Sequence, residues 1–133
     1  MKVLVISHEY PPIGGGGGKV VQDLCTGLAS SGIEIHVLTA MWNDLPEVEE
    51  SKNLKIERLA SNRSESFRAS FKSMLSFVWK STWRGLKLIR QWQPDLIHAH
   101  FAVPAGAAAF ALSIMTGTPY ILTAHGGDRK SVV

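Results

Sequence analysis

Residues 3–24 decide the fold, and they have the sequence VLVISHEYPPIGGGGGKVVQDL. Apolar and mostly branched residues over Val3–Ser7 indicate a strand buried on both faces, which turn-forming residues then end. A run of glycines follows, and apolar residues recur at helical spacing from Val20 until Gly32 stops the pattern. We therefore predict a central strand, a glycine-rich turn and a first helix, in that order.

The rest of the chain alternates strand and helix patterns. Strands are predicted at residues 33–39, 54–59, 95–100 and 119–123, helices at about 67–92 and 104–116, and a polar loop at 43–53. Strands that alternate with helices of this length form mostly parallel sheets with helices on both faces. The predicted fold class is therefore α/β, a Rossmann-like domain of three layers.

Composition limits the class of protein. The 133 residues, 45% of them hydrophobic, are enough for one globular core and too few for two ordinary domains. Cys25 is the single cysteine and cannot form an intramolecular disulfide. The sequence shows neither a long uninterrupted apolar stretch nor a signal-peptide pattern, so we expect a cytoplasmic protein. The net charge of +3 fits anionic partners such as phosphates or lipid headgroups.

The glycine run is typical of a backbone that approaches a bulky anion, since any side chain there would block the approach. The alternative is a flexible turn with no chemical role. A P-loop is excluded, because Ile13 and Val20 stand where that motif needs a glycine and a hydroxyl. The dinucleotide-binding pattern spans six residues, whereas this run has only five, and the second strand ends without an acidic residue. NAD binding is therefore disfavoured.

Three histidines, His8, His100 and His125, follow predicted strands at the carboxyl ends, where open parallel sheets bind ligands. His98 and His100 are two residues apart on one strand and share a face, a spacing that also suits zinc. No nearby cysteine or well-spaced carboxylate completes a ligand set, so we predict no metal. His98, deeper in its strand, and His36, in mid-strand, are predicted to be structural.

Three motifs occur in order: HEYPPIGGG at residues 8–16, PDLIHAHF at 94–101 and LTAHGGD at 122–128. Together they resemble the N-terminal domain of family 4 glycosyltransferases, retaining enzymes of the GT-B fold, over the chain as far as Asp128. The resemblance implies transfer of a sugar, of the hexosyltransferase type, from a nucleotide-sugar donor to an acceptor in glycan biosynthesis. The acceptor could be lipid-linked or a cell-envelope glycan, and no metal or other cofactor is required.

The resemblance also implies roles for individual residues. In this family the glycine-rich turn lies close to the donor diphosphate, which here means Gly14, Gly15, Gly16, Gly17 and Gly18, helped by Lys19. The family's histidine in the Thr-x-His-Gly motif bonds a hydroxyl of the donor sugar, and the matching residue is His125, with Asp128 beside it. The predicted acceptor side consists of His8, Tyr10, His100 and Phe101.

Family members hold most of the nucleotide sugar with a second Rossmann-like domain, and residues 1–133 contain neither its basic pair nor its glutamate motif. The N-terminal domain itself is predicted to be incomplete at its C-terminal end. The chain could be a fragment, a truncated product or half of a split enzyme whose partner chain binds the donor. We expect the isolated chain to be inactive. The alternative is a non-catalytic partner or scaffold subunit of a split transferase.

The predicted helix at 67–92 has two different faces. The face expected to pack on the sheet carries Phe67, Phe71, Met74, Leu75, Val78, Ile89 and Trp92. The other face carries Arg68, Lys72, Trp79, Lys80, Trp83, Arg84, Lys87 and Arg90. A basic face with tryptophans suits peripheral contact with an anionic membrane surface, here the inner face. A neighbouring domain or partner subunit is an equal alternative, and nucleic acid is disfavoured because no other basic or stacking feature supports it.

Overall fold

A computed structural model describes residues 1–11, 16–41, 45–60 and 71–124. Its elements are β1 (Lys2–Ser7), α1 (Gly16–Ser30), β2 (Glu34–Ala40), β3 (Val48–Ser51), β4 (Leu54–Leu59), α2 (Phe71–Trp92), β5 (Leu96–His100), α3 (Ala107–Thr116) and β6 (Tyr120–Thr123). An irregular turn, Ala102–Gly106, joins β5 to α3. The strands form one sheet in the order β3-β4-β2-β1-β5-β6, parallel throughout except at β3. The predicted α/β fold with a mostly parallel sheet is confirmed.

Strand β1 lies at the centre of this sheet. Its residue Val5 pairs with Val37 of β2 on one side and with His98 of β5 on the other. From β1 the chain first moves outward through β2 to β4, and α2 then carries it across to β5 on the far side of β1. The order of strands therefore reverses between β1 and β5, and parallel sheets bind their ligands at the carboxyl end of such a reversal.

Helices cover both faces of the sheet. Val3 and Val5 of β1 pack in a buried cluster with Val21 and Cys25 of α1. The alternate residues of β1 belong to a second buried cluster on the opposite face, together with Phe77 of α2 and the apolar side of α3. The three-layer arrangement predicted from the sequence is therefore confirmed.

The predicted polar loop at residues 43–53 is partly wrong, because it contains strand β3. This strand pairs antiparallel with β4, so that Glu49 lies opposite Ile56, and the ammonium of Lys55 lies 3.3 Å from a carboxylate oxygen of Glu50. All four residues of β3 are exposed. A short, charged edge strand has no buried face, so its sequence lacks the alternation that marks a strand.

The predicted core face of α2 is also partly wrong, and Phe67 and Arg68 of the predicted helix lie outside the described residues. Phe77 is fully buried, whereas Leu75, assigned to the core, is 55% exposed, although Ile89 is buried as predicted. The helix contacts its neighbours through small residues, and a Cβ added at Gly85 would lie 2.6 Å from Cδ1 of Leu112 on α3. The buried hydroxyl of Ser81 donates to the carbonyl of Phe77 at 2.6 Å. The predicted core face was therefore partly wrong because only apolar residues were counted, whereas Ser81 and Gly85 also pack on the buried side of the helix.

Arg84, predicted on the outer face of α2, instead binds the sheet. Its Nη2 donates to Oε1 of Glu57 on β4 at 3.0 Å, and Nε2 of His36 on β2 lies 3.1 Å from the same oxygen. Burial alone would raise the pKa of Glu57, but the hydrogen bonds from His36 and Arg84 outweigh it and lower the pKa to about 2. The structural role predicted for His36 is confirmed, and Arg84 is corrected to an anchor of α2.

The buried carboxylate makes stability depend on pH. The folded pKa of Glu57 lies below its ordinary value of 4.5, so its contribution is complete above that value and is lost as the pH falls toward about 2. We expect Glu57→Gln to lower the free energy of unfolding at neutral pH by on the order of 2 kcal/mol. Urea denaturation should show this deficit shrinking through the same pH range.

Glu50→Gln is the matched control, because Glu50 lies on the same hairpin and its carboxylate is 65% exposed in a surface pair. Its deficit should be small at every pH. Equal pH dependence in the two variants would contradict the role assigned to Glu57.

Candidate active site

The first turn of α1 lies within the glycine run, whereas the sequence pattern placed the helix after it. Gly16, Gly17 and Gly18 are the first three residues of α1, and Gly14 and Gly15 lie outside the described residues. Backbone N–H groups in the first turn have no carbonyl partner within the helix, and the helix dipole makes this end positive. The turn therefore has the electrostatics that an anion needs.

Gly17 lies directly against the ring of Phe101. A Cβ at Gly17 would stand 2.6 Å from Cζ and 2.9 Å from Cε1 of that ring, which is closer than any side chain allows. One glycine of the run is thus required by close packing. Because Phe101 immediately follows β5, the structure brings two separately predicted site segments together beside the strand reversal.

Phe101 is held in an unusual backbone conformation, with φ of 75°. Residues other than glycine rarely adopt this region, which costs about 1–3 kcal/mol. Two hydrogen bonds hold it there: the N–H of Phe101 donates to the carbonyl of Thr123 at 2.9 Å, and the N–H of Gly106 donates to the carbonyl of Phe101 at 3.1 Å. The half-exposed ring is therefore placed by the end of β6 and by the turn that leads to α3.

His98 and His100 lie on the same side of the sheet, as predicted, with ring centroids 4.1 Å apart. Nε2 of His98 lies 2.7 Å from Oγ1 of Thr123, which confirms His98 as a buried, hydrogen-bonded histidine. Thr123 is the last residue of β6 and opens the Thr-x-His motif, so this contact fixes the strand end that leads to His125. His125 and Asp128 themselves lie outside the described residues.

The predicted acceptor-side residues differ in burial. His8 and His100 are buried, and the ring of His8 meets Phe77 edge to face at 5.0 Å between centroids. Tyr10 is also buried, and burial, followed by its electrostatic interaction with Cys25, raises the pKa of its phenol to about 12. These three side chains lie behind the surface of the site, and only Phe101 is half-exposed. Motif position alone could not reveal this difference in burial. The roles of all four residues toward an acceptor stay predictions.

Two charged residues flank the glycine turn. The exposed ammonium of Lys19 lies 3.0 Å from Oδ1 of Asp23, one turn further along α1. Exposed pairs of this kind are weak, so the ammonium can turn toward another anion. Glu9, which sequence reasoning missed as a site residue, has Oε2 3.7 Å from the position of a Cβ at Gly17. The acidic residue within the first motif was the only sequence signal for it.

Across residues 1–11, 16–41, 45–60 and 71–124, no group of three or more histidine, cysteine or acidic side chains could hold a metal ion. Over the same ranges, no helix is long and apolar enough to cross a membrane. Several cavities are lined by residues that the structure describes. One of about 500 Å³ adjoins Ser30 and Lys52 at the amino edge, and two others lie on the outer side of α2.

Comparison with known proteins identifies the family. The sequence pattern of Glycosyltransferase Family 4 matches residues 14–132. The chain belongs to this family. The match includes the glycine turn, Phe101 and the residues after β6, so the resemblance based on three motifs is confirmed.

The relatives of this family 4 domain are glycosyltransferases. An uncharacterized glycosyltransferase of Methanocaldococcus jannaschii is 35% identical over 128 residues, which cover 96% of this chain and 33% of the relative. A glycogen synthase of Mycobacterium tuberculosis is 29% identical over 143 aligned positions, which cover 96% of this chain and 34% of the synthase. A putative teichuronic acid biosynthesis glycosyltransferase of Bacillus subtilis is 56% identical over 39 residues, which cover 29% of this chain and 10% of that protein. The chain spans about a third of the length of the first two and a tenth of the third.

Solved structures show the same fold. Sucrose-phosphate synthase from Thermosynechococcus elongatus superimposes with a TM-score of 0.79 at 20% identity, covering 100% of this chain and 35% of that one. The catalytic domain of starch synthase IV from Arabidopsis thaliana, bound to ADP and acarbose, superimposes with a TM-score of 0.68 at 16% identity. The superposition covers 94% of this chain and 34% of that one. At such identities the likeness shows the fold, a Rossmann-like domain of GT-B glycosyltransferases.

The contact between Gly17 and Phe101 is testable in this family 4 domain. Gly17→Ala should lower the free energy of unfolding by about 1–2 kcal/mol, because the new methyl group displaces the Phe101 ring. The loss should be smaller when Phe101→Ala is also present. Urea denaturation of the unaltered protein, the two single variants and the double variant gives the coupling free energy between residues 17 and 101.

Gly16→Ala serves as the control, since nothing lies within 4 Å of a Cβ at that position. We expect no loss there. If both glycine substitutions cost the same, the contact is not the reason for glycine at residue 17.

Proposed function

We propose that this domain is the acceptor-side half of a retaining glycosyltransferase that moves a hexosyl group from a nucleotide sugar to a glycan acceptor. One observation carries the proposal: in a family 4 chain, the glycine first turn of α1 meets Phe101 beside the strand reversal between β1 and β5. Ligands of open parallel sheets bind at that edge.

In this proposal the donor diphosphate lies at the first turn of α1. The unpaired N–H groups there stabilise negative charge that grows on the diphosphate as the sugar leaves. Gly14 to Gly18 keep side chains out of the way, and Lys19 turns from Asp23 toward the phosphates. The nucleoside diphosphates in two similar folds, ADP in starch synthase IV and thymidine diphosphate in a Streptomyces glycosyltransferase, support this class of donor.

The sugar would be held from the end of β6. His125 follows Thr123 by two residues, and its neutral imidazole would bond a sugar hydroxyl without a metal, with Asp128 beside it. The hydrogen bond between His98 and Thr123 supports this role, because it fixes the strand end from which His125 extends. A glycosyl cation developing at this site is stabilised by positioning and electrostatics rather than by a cofactor.

The acceptor would lie against the half-exposed ring of Phe101, whose apolar face can cover the face of a sugar ring. His8, Tyr10 and His100 then act indirectly, by supporting the ends of β1 and β5. We propose an acceptor that is a cell-envelope glycan or its lipid-linked precursor, made in the cytoplasm. The similarity to the teichuronic acid glycosyltransferase over 39 residues supports this class of product.

A second wall must complete the site, because transfer requires donor and acceptor to be held together. We therefore propose that residues 1–133 alone do not turn over, and that a donor-binding domain or partner chain supplies the rest. The alternative is a non-catalytic partner or scaffold subunit, which would bind an active transferase without contributing a residue to the reaction.

The test uses the gene recovered with its downstream sequence, expressed as one protein and screened against a panel of nucleotide sugars for nucleotide release. We expect turnover with one donor class, none with residues 1–133 alone, and a fall of about 100-fold or more in kcat for His125→Ala. Lys52→Gln, at the opposite edge of the sheet, should leave kcat unchanged.

Robust sugar transfer by the purified 133-residue chain would contradict the need for a second wall. An unchanged kcat in His125→Ala would show that His125 takes no part in the reaction. Absence of nucleotide release with every donor of the panel would favour the non-catalytic alternative.

A further inference from the structure

The outer side of α2 carries a surface that we call the tryptophan flank. It consists of an exposed or partly exposed apolar strip and of neighbouring cations: Leu75, Val78, Trp79, Trp83 and Leu86 of α2 with Met115 of α3, and Lys80, Lys87 and Arg90. Trp79 is 66% exposed and Trp83 is 56% exposed, and their ring centroids lie 5.8 Å apart in an edge-to-face arrangement. Large aromatic residues are seldom left this exposed without a partner. The flank consists partly of the residues that the helical pattern had assigned to the core.

Two grooves border the tryptophan pair. An apolar groove of about 380 Å³ runs between α2 and Met115 of α3. A second groove of about 680 Å³, on the other side of the pair, is lined by the cations Lys80, Lys87 and Arg90, and its lining also includes one acidic residue, Glu47. One side of the pair is thus apolar and the other is basic.

The charge on this helix has one sign. From Phe71 to Trp92 the sequence of α2 contains no acidic residue. Its exposed cations, Lys72, Lys80, Lys87 and Arg90, make no hydrogen bond or ion pair within the part of the chain that the structure describes. Arg84 differs, because Glu57 neutralises it. The flank therefore presents apolar surface together with uncompensated positive charge.

We propose that the tryptophan flank docks on an anionic lipid bilayer. Tryptophan side chains favour the interface between headgroups and acyl chains, and lysines on long apolar stems reach the phosphates beside them. The apolar groove would take acyl-chain carbons, and the basic groove would take headgroup phosphates. This inference goes beyond the transfer reaction and does not depend on it.

Charge also distinguishes the bilayer from protein occupants. A second copy of the chain, related by twofold symmetry, would bring lysines of one flank against those of the other. The donor-binding domain of the proposed enzyme must face the carboxyl edge of the sheet, whereas the flank lies on the outer helical layer. An anionic surface is complementary to the whole flank.

The direction of α2 gives this docking a use. The helix begins at the carboxyl edge, where His8 contacts Phe77, and it ends at the amino edge before β5. Leu75 and Trp79 therefore lie in the half of the helix nearer the proposed site. A lipid-linked acceptor in that bilayer would lie on the side of the domain where α2 begins, at the carboxyl edge of the sheet.

The test is sedimentation of the chain with vesicles of phosphatidylglycerol and phosphatidylcholine, compared with vesicles of phosphatidylcholine alone. We expect binding only to the anionic vesicles, weakened by salt. Trp79→Ala with Trp83→Ala should weaken binding at least about tenfold. Lys80→Gln with Lys87→Gln should weaken it about fivefold for each charge removed.

The controls remove similar groups elsewhere. Val20→Ala with Leu24→Ala, on exposed positions of α1 across the sheet, and Lys52→Gln with Lys55→Gln, on the β3–β4 hairpin, should bind as the unaltered chain does. Trp79→Phe with Trp83→Phe should retain most of the binding. Lipids brominated on their acyl chains should quench the emission of the unaltered chain, and this quenching should largely disappear in the phenylalanine variant even if the alanine variant does not fold.

Equal binding by the flank variants and the controls would overturn the proposal, as would absence of binding to anionic vesicles. Concentration-dependent self-association that buries the tryptophans without lipid would assign the flank to a second copy instead.

Discussion

Strand β1 has parallel partners on both sides, and the site depends on that position. Ile6, near its carboxyl end, pairs with Leu38 of β2 and with Ala99 of β5. The connection after β1 passes over one face of the sheet through α1, and the chain reaches β5 over the other face through α2. Two connections that leave in opposite directions open a crevice above the strand ends. The transfer reaction proposed for this domain occurs along that crevice.

Two contacts turn the crevice into a defined surface. The ring of Phe101 packs against Gly17 in the first turn of α1, and the carbonyl of Thr123 holds the backbone of Phe101 at its positive φ of 75°. His98 then holds the side chain of Thr123. The ends of β5 and β6 and the start of α1 are therefore linked, and a shift in one of them would move the others. Strain in such a position persists only where neighbouring contacts determine it.

The sequence predicted most of this framework, and its failures have physical causes. Buried strands such as Val3–Ser7 show continuous apolar runs, and their order with the helices gave the parallel sheet. Strand β3 was missed because it has no buried face, and the core side of α2 was misjudged because Ser81 and Gly85 pack as core residues. At the site, the family resemblance led to the prediction of Phe101 and Tyr10 but could not show that Tyr10 is buried. Burial depends on distant segments, and a single sequence contains no direct signal for it.

The central claim is that the carboxyl edge beside β1 and β5 is one wall of a glycosyl-transfer site. The most direct test is a crystal structure of the complete protein with its nucleoside diphosphate and an acceptor analogue. We predict diphosphate oxygens about 3 Å from backbone N–H groups in the first turn of α1, with the acceptor against Phe101. A diphosphate bound at another place, such as the groove beside Ser30 and Lys52 at the amino edge, would contradict the account.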